Sequence, residues 1–472
     1  MQRSHHQPKQ IAILTLWACF SLLYHSVYGQ MEADEKAYQY PTDSLVGLKL
    51  RQWKALKFGL FMHWGPYSQR GLVESWTLCP EDYPFCGRSG PDSADFFAYK
   101  RSYEALQNSF NPKNFHPAKW ATAARAAGMR YMVFTTKHHD GFCMYDTHQT
   151  DYKITSPHTP YSSNPQADVT RALFDAFRKE HLMVGAYFSK PDWHSPYFWW
   201  PYFPPKDRHP NYDVQKYPAR WQQFCAFTAN QIDELASGYG RLDLFWFDGD
   251  WVKMDMKPII ASARRHQPGL IVVERHGDPQ LVNYLTPEQK VPDHFIGVPW
   301  ETCMTMGESW SYKPQEHYKP ARKLIQILVD VVAKNGNLLL NIGPGPDGDW
   351  HAEAYDRLRE IGAWMEVNGE AIFNTHPLAP YRKDKWAFTA NEQARFAIYL
   401  PDSAERIAGE LAIPALEMDE GAGIQLLGVK GGLTWSKEHE QIVVQVPATA
   451  QKALAEAAAW VFRIEHKNRK DK

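Results

Sequence analysis

The chain has 472 residues, enough for a large catalytic domain and a smaller companion, with 44% hydrophobic and 22% charged residues in a globular balance. Its 52 Lys+Arg against 53 Asp+Glu leave a formal net charge of -1, so no field of one sign exists to draw in nucleic acid or an anionic membrane, and neutral partners fit best. Aromatic residues reach 14%, including 18 Trp, a content that rings packing on sugar faces and a large aromatic core explain equally well.

Residues 1–29 read as a signal peptide. Arg3 and Lys9 precede an apolar run, Ile11–Tyr24, shorter than the roughly 18–20 residues needed to span a bilayer. Val27 and Gly29 are small enough for cleavage after Gly29. The expectation is export with no membrane attachment after cleavage. Loss of Cys19 leaves five of the 6 cysteines, so at least one thiol is unpaired or bonds another molecule. Cys79 and Cys86 are close enough in a Gly/Pro-bearing loop to join in an oxidising compartment. The chain has no Asn-x-Ser/Thr sequon, which favours bacterial export to periplasm or medium over a lysosome.

From about Lys49 to Asn374, short apolar runs alternate with amphipathic stretches. The runs are Phe58–Met62, Tyr131–Phe134, Val184–Phe188, Leu242–Trp246, Leu270–Val273 and Leu338–Ile342. Helix-like segments lie between them: Pro117–Ala127, Asp168–His181, Ala219–Leu235, Met256–His266, Pro320–Lys334 and Ala352–Val367. The pattern predicts an α/β fold with a parallel sheet and helical crossovers, and its length fits a TIM-like (β/α) barrel over residues 30–376. After Pro377 short strands alternate with Asp, Gly, Pro and Ser: Ala387–Leu400, Gly409–Ile413, Gly423–Val429, Gln441–Val446 and Ala458–Ile464. Residues 377–472 are therefore expected to form a small antiparallel β-sandwich.

Polar residues collect where the apolar runs end: His63, then His138 and His139, then Asp248 and Asp250, then Glu274-Arg275-His276. If the runs are barrel strands, these side chains surround one mouth, the place where barrel enzymes build active sites. Asp248 follows a largely apolar run and precedes Gly249, a rigid placement suited to a nucleophile on an anomeric carbon and equally to a capping carboxylate. His138, His139 and Asp250 admit a metal reading. Successive residues on a strand point to opposite sides, however, so the two rings are expected to diverge and, with His63, to serve better as hydrogen-bond donors to sugar hydroxyls.

The segments Phe58-Gly-Leu-Phe-Met-His-Trp-Gly65, Thr136-Lys-His-His-Asp-Gly-Phe142, Trp246-Phe-Asp-Gly249 and Asn335-Gly-Asn-Leu-Leu-Leu-Asn-Ile-Gly-Pro344 follow one another in order. Together they resemble the α-L-fucosidases of glycoside hydrolase family 29, over nearly the whole mature chain. The resemblance implies a barrel followed by a β-sandwich, a retaining mechanism on fucosylated glycans, and neither metal nor cofactor. It implies Asp248 as nucleophile, with His63, His138, His139, Tyr187, Trp246 and Arg275 around the fucose. Glu74 and Trp76 resemble the family's acidic-aromatic contact, although Ser75 separates them here. The general acid aligns less cleanly: Glu288 in Leu285-Thr-Pro-Glu-Gln289 is preferred, with Glu301 in Trp300-Glu-Thr-Cys303 its competitor. Two rival readings are a metal-dependent barrel hydrolase and a catalytically inactive carbohydrate-binding protein on the same scaffold. The oligomeric state stays open.

Overall fold

A computed structural model describes residues 32–82, 86–414, 416 and 422–465. The expected leader, 1–29, lies outside the described residues. Seven strands form one parallel sheet: β1 (Phe58–Met62), β2 (Tyr131–Lys137), β3 (Met183–Ser189), β4 (Leu244–Asp248), β5 (Ile271–Glu274), β6 (Trp300–Thr305) and β7 (Gly336–Asn341). Their order is β5-β4-β3-β2-β1-β7-β6. Strands covered on both faces need apolar side chains in both directions, hence the continuous runs in the sequence. β2 and β7 are buried at every position.

The edge strands β5 and β6 do not pair with each other; the segment 283–289 fills the seam between them. On the β5 side Asn283 donates its N–H to Val272 O at 2.8 Å and accepts the Val272 N–H on Oδ1 at 2.7 Å. On the β6 side the Glu301 N–H reaches Leu285 O at 2.8 Å, and the Gln289 N–H reaches Cys303 O at 2.9 Å. An irregular strand thus closes the curled sheet and satisfies edge groups that would otherwise be orphaned.

Side chains pack in two layers. Inside the barrel lie Phe61, Tyr131, Val133, Trp246, Val273 and Leu339, and the helix Ser44–Leu56 stops one end with Val46, Leu50 and Trp53. Trp53 stacks on Tyr284 at 4.1 Å. Asp43 caps this helix by accepting the Leu45 and Val46 N–H groups at 2.8 and 3.2 Å. No apolar periodicity announces it, because leucines lie all round it and Leu45 and Leu48 are exposed. Outside the barrel pack the anticipated helices, observed as Pro117–Ala126, Val169–Lys179, Pro218–Gly238, Lys257–His266, Ala321–Ala333 and Ala352–Asn368.

Beyond them lie two antiparallel sheets. One has the order β12-β15-β10-β9-β8 and the other β11-β14-β13. They are built from β8 (His376–Lys383), β9 (Trp386–Ala390), β10 (Ala394–Tyr399), β11 (Glu410–Pro414), β12 (Ile424–Leu426), β13 (Trp435–Glu438), β14 (Gln441–Gln445) and β15 (Trp460–Glu465). The stretch 387–400, expected as one strand, is a hairpin. Asn391 Oδ1 accepts the N–H groups of Gln393 and Ala394 at 2.9 Å, turning the chain there. β8 and β13 escaped the sequence reading because both are edge strands, one carrying two prolines and the other mostly polar residues. Phe388, Ile413, Val444 and Phe462 fill the space between the sheets. Phe396, Ile398 and Val461 instead join the core outside the barrel.

Candidate active site

A cavity of about 430 Å³ opens where β1 to β5 end. His63, Glu74, Trp76, His138, His139, Tyr187, Trp246, Asp248, Arg275 and Glu288 all line it. Of the other residues singled out from sequence, Glu301 lies outside it, and so do Glu274 and His276 on either side of Arg275.

Asp248 is the last residue of β4. The Tyr187 hydroxyl donates to its Oδ2 at 2.7 Å and the Gly249 N–H to its Oδ1 at 2.7 Å. Gly249 has φ +88°, and a Cβ there would meet Pro191 Cδ at 2.2 Å, so only glycine turns the chain this closely under the carboxylate. Burial, the strongest influence, raises the Asp248 pKa; His139, Arg275 and the two donors together outweigh it and hold the group below the usual aspartate value. The carboxylate is therefore ionised, fixed and only 17% exposed.

The His138 and His139 rings do not diverge. They lie past the last regular pairing of β2, after a register shift between Thr135 and Lys137. Both face the same cavity with ring centroids 4.2 Å apart. His138 Nδ1 meets Ser75 Oγ in a short hydrogen bond, and His139 Nδ1 meets Ser189 Oγ. His63 Nδ1 lies 2.8 Å from Asn341 Oδ1. Burial pushes His63 and His139 down to about 4, against the pull of Asp248, and holds His138 well below its usual value. All three rings are neutral at pH 7. Among the described residues the one grouping with metal-ligand character is His138, His139 and Asp248, whose donor atoms lie within 4.8 Å of one another. Asp250 lines the cavity outside that grouping.

Glu74 sits in left-handed backbone, φ +38°, a strained conformation for a non-glycine residue. Its Oε1 accepts the Ser311 N–H at 2.8 Å, and its own N–H donates to Ser311 Oγ at 3.3 Å. Burial above all, with some repulsion from Glu288, pushes Glu74 up to about 8. Glu288 rides on the seam segment. Its Oε2 pairs with Arg275 Nη1 at 2.5 Å and its Oε1 accepts the Trp310 indole N–H at 3.1 Å. Burial lowers the Arg275 pKa, yet Glu288 and Asp248 more than reverse it, so one guanidinium serves both carboxylates. Glu301 is enclosed in the barrel interior, where Tyr131 donates to its Oε2 at 2.6 Å. Trp246 and Tyr284 face it without completing a bond. Burial pushes Glu301 up to about 8 as well.

Sequence reasoning missed Trp310, Arg208 and Trp251, all on the cavity wall. The Trp310 ring lies 5.1 Å from His63, and Arg208 stands over the rings of Trp76 and Trp251 at 5.2 and 4.9 Å. They come from loops without strand or helix pattern. Asn341 and Ser189 end β7 and β3, so the strand-end rule that found His63 and Asp248 also reaches them. In the aromatic loop 196–205, Phe198 and Trp199 are buried, with Trp199 stacked on Trp193, while Tyr202 and Phe203 are exposed. Cys79 and Cys86 are free thiols rather than a disulfide.

Among known proteins, the family model described as Alpha-L-fucosidase matches residues 26–370. The plasma alpha-L-fucosidase of Rattus norvegicus is 28% identical, over 87% of this chain and 90% of its own. The solved structure of alpha-L-fucosidase isoenzyme 1 from Paenibacillus thiaminolyticus has 29% identity and a TM-score of 0.75, covering 90% of this chain and 100% of that one. That of Thermotoga maritima alpha-fucosidase in complex with a mechanism-based inhibitor has 25% identity and a TM-score of 0.72, covering 91% and 100%.

Proposed function

The chain belongs to the α-L-fucosidase family, and on that premise we propose that it releases terminal α-L-fucose from glycans by double displacement, with Asp248 as nucleophile and Glu288 as acid and base. The observation that carries the reading is the state of Asp248: ionised, pinned by Tyr187 and Gly249, and sharing Arg275 with a second carboxylate on the same cavity wall. Asp248 attacks the anomeric carbon, forming a fucosyl ester as the glycosidic oxygen leaves. Glu288 donates its proton to that oxygen; its conjugate base then takes a proton from water, which attacks the ester and frees fucose and Asp248. A retaining enzyme needs the two carboxyl groups about 5–5.5 Å apart.

In the free enzyme Arg275 and Trp310 hold Glu288 as an acceptor. The same two donors stabilise the Glu288 carboxylate that acts as base in the second step. The oxocarbenium-like transition state gains from the Asp248 charge, and the neutral rings of His63, His138 and His139 orient the sugar hydroxyls without adding positive charge. Phe61 and Trp310 offer an apolar wall to the fucose methyl, whose burial contributes on the order of 1 kcal/mol.

Hydrolysis of an aryl α-L-fucoside by wild type and Asp248→Ala tests this. The variant should lose at least about 10³-fold in kcat, and azide should restore turnover with β-fucosyl azide as product. A variant that keeps wild-type turnover removes the two-carboxylate mechanism. Export is the companion proposal, supported by Arg3, Lys9 and the apolar run Ile11–Tyr24. No helix among the described residues is long and apolar enough to cross a membrane. N-terminal sequencing of the protein recovered from a periplasmic fraction or the medium should begin at Gln30.

A further inference from the structure

His63, His138 and His139 each commit one ring nitrogen to the protein, and the partners of those nitrogens are themselves constrained. Asn341 donates its Nδ2 to Trp310 O at 2.7 Å, so Oδ1 is the atom 2.8 Å from His63 Nδ1, and that oxygen can only accept. The Ser189 hydroxyl donates to Pro191 O at 3.1 Å, leaving a lone pair for His139 Nδ1. Ser75 is wired the other way. Its oxygen accepts the Asp140 N–H at 3.0 Å, and among the described residues His138 Nδ1 is the one acceptor its proton reaches.

We propose that Asn341, Ser189 and Ser75 are positioning residues that impose opposite tautomers: His63 and His139 carry Nδ1–H and present bare Nε2 acceptors to the cavity, whereas His138 carries Nε2–H and presents a donor. The inference rests on the reading above, in which these rings contact the sugar. It deepens that reading into a recognition code, in which the bound sugar must donate to His63 and His139 and accept from His138. A hydroxyl does both, while an ether or fluorine substituent accepts at most and fails at two of the three rings.

The Ser189 direction also protects the nucleophile. His139 Nε2 lies 3.9 Å from Asp248 Oδ2. A proton on Nε2 would point at the carboxylate and compete with the anomeric carbon for its charge. With the proton held on Nδ1 by the Ser189–Pro191 chain, Tyr187 remains the one side-chain donor bonded to Asp248 among the described residues.

Neutron diffraction of the deuterated, unliganded enzyme reads the three tautomers directly. Deuterons are expected on Nδ1 of His63 and His139 and on Nε2 of His138; a deuteron on Nε2 of His139 or on Nδ1 of His138 overturns the proposal. Ser189→Ala supplies the second reading. Its deuteron should move to Nε2 of His139, and kcat/KM for an aryl α-L-fucoside should fall about tenfold. A folded variant with unchanged kcat/KM, or with the deuteron still on Nδ1, overturns the positioning role. Wild-type hydrolysis of the same fucoside checks the activity independently: if it fails while the proton map holds, the function is misread and the tautomer assignment stands.

Discussion

At the scale of single residues, the barrel holds carboxyl groups in opposite states, and environment alone separates them. Asp248 gains two donors and a guanidinium and stays ionised, whereas burial pushes Glu74 and Glu301 up to about 8. The acid limb of kcat/KM should therefore lie near pH 4, where His63 and His139 take up protons while Asp248 is still ionised. Rates for a fucoside with a good leaving group, measured from pH 3 to 7, check this; a limb above pH 5 contradicts it. Glu301 makes a separate prediction. Its folded pKa lies above its unfolded one, so its contribution to stability is full below the unfolded value near 4.5 and is lost as pH rises through about 8. Tm should fall between pH 5 and 9, and Glu301→Gln should flatten that slope while leaving kcat within a few-fold. Glu288→Gln should do the reverse, depressing rates most for poor leaving groups with little effect on Tm, because its carboxyl is 34% exposed.

Among the elements, the seam segment 283–289 matters most, since it completes the barrel and carries Glu288. Asn283 is its anchor: the side-chain oxygen takes the Val272 N–H, and Arg264 Nη2 reaches the same oxygen at 3.2 Å. Asn283→Ala leaves a buried β5 N–H without a partner, a cost of about 1–3 kcal/mol. Urea unfolding should show that loss, together with a lower kcat for poor leaving groups as Glu288 loses its register. This element also marks where legibility ended. β1 to β5 and β7 were readable because apolar runs stop abruptly at polar residues. β6, Trp-Glu-Thr-Cys-Met-Thr, has no such run. Seen as a strand, its second residue lies near the entry end of the barrel, far along the strand from the mouth, and Glu301 would have fallen from the list of acids. The direction of His138 and His139 was misjudged for a related reason, since alternation holds within a strand and both residues lie just beyond one. Trp310, Arg208 and Trp251 are brought to the site by loop folding that leaves no periodic trace.

For the whole molecule, the question is whether the C-terminal sheets are an appendage or a structural part of the barrel. The face of β9, β10 and β15 that carries Ala387, Phe396, Ile398 and Val461 belongs to the same apolar core as the barrel's outer helices. Polar ties reinforce it: Arg322 donates to Ala457 O at 2.8 Å and Gln326 to Pro401 O at 2.7 Å, both from helix Ala321–Ala333, which packs on β7. A chain ending at 376 would expose that helix's outer residues to water, and apolar area left uncovered costs about 25 cal/mol per Å². Phe396→Ala, far from the cavity, tests the coupling. Truncating a fully buried Phe typically costs about 3–5 kcal/mol. If the two parts share one core, the barrel's unfolding, followed by loss of fucosidase activity, should shift with the β-sheet signal in one transition. An unchanged activity midpoint beside a lowered sheet transition would show two independent units instead.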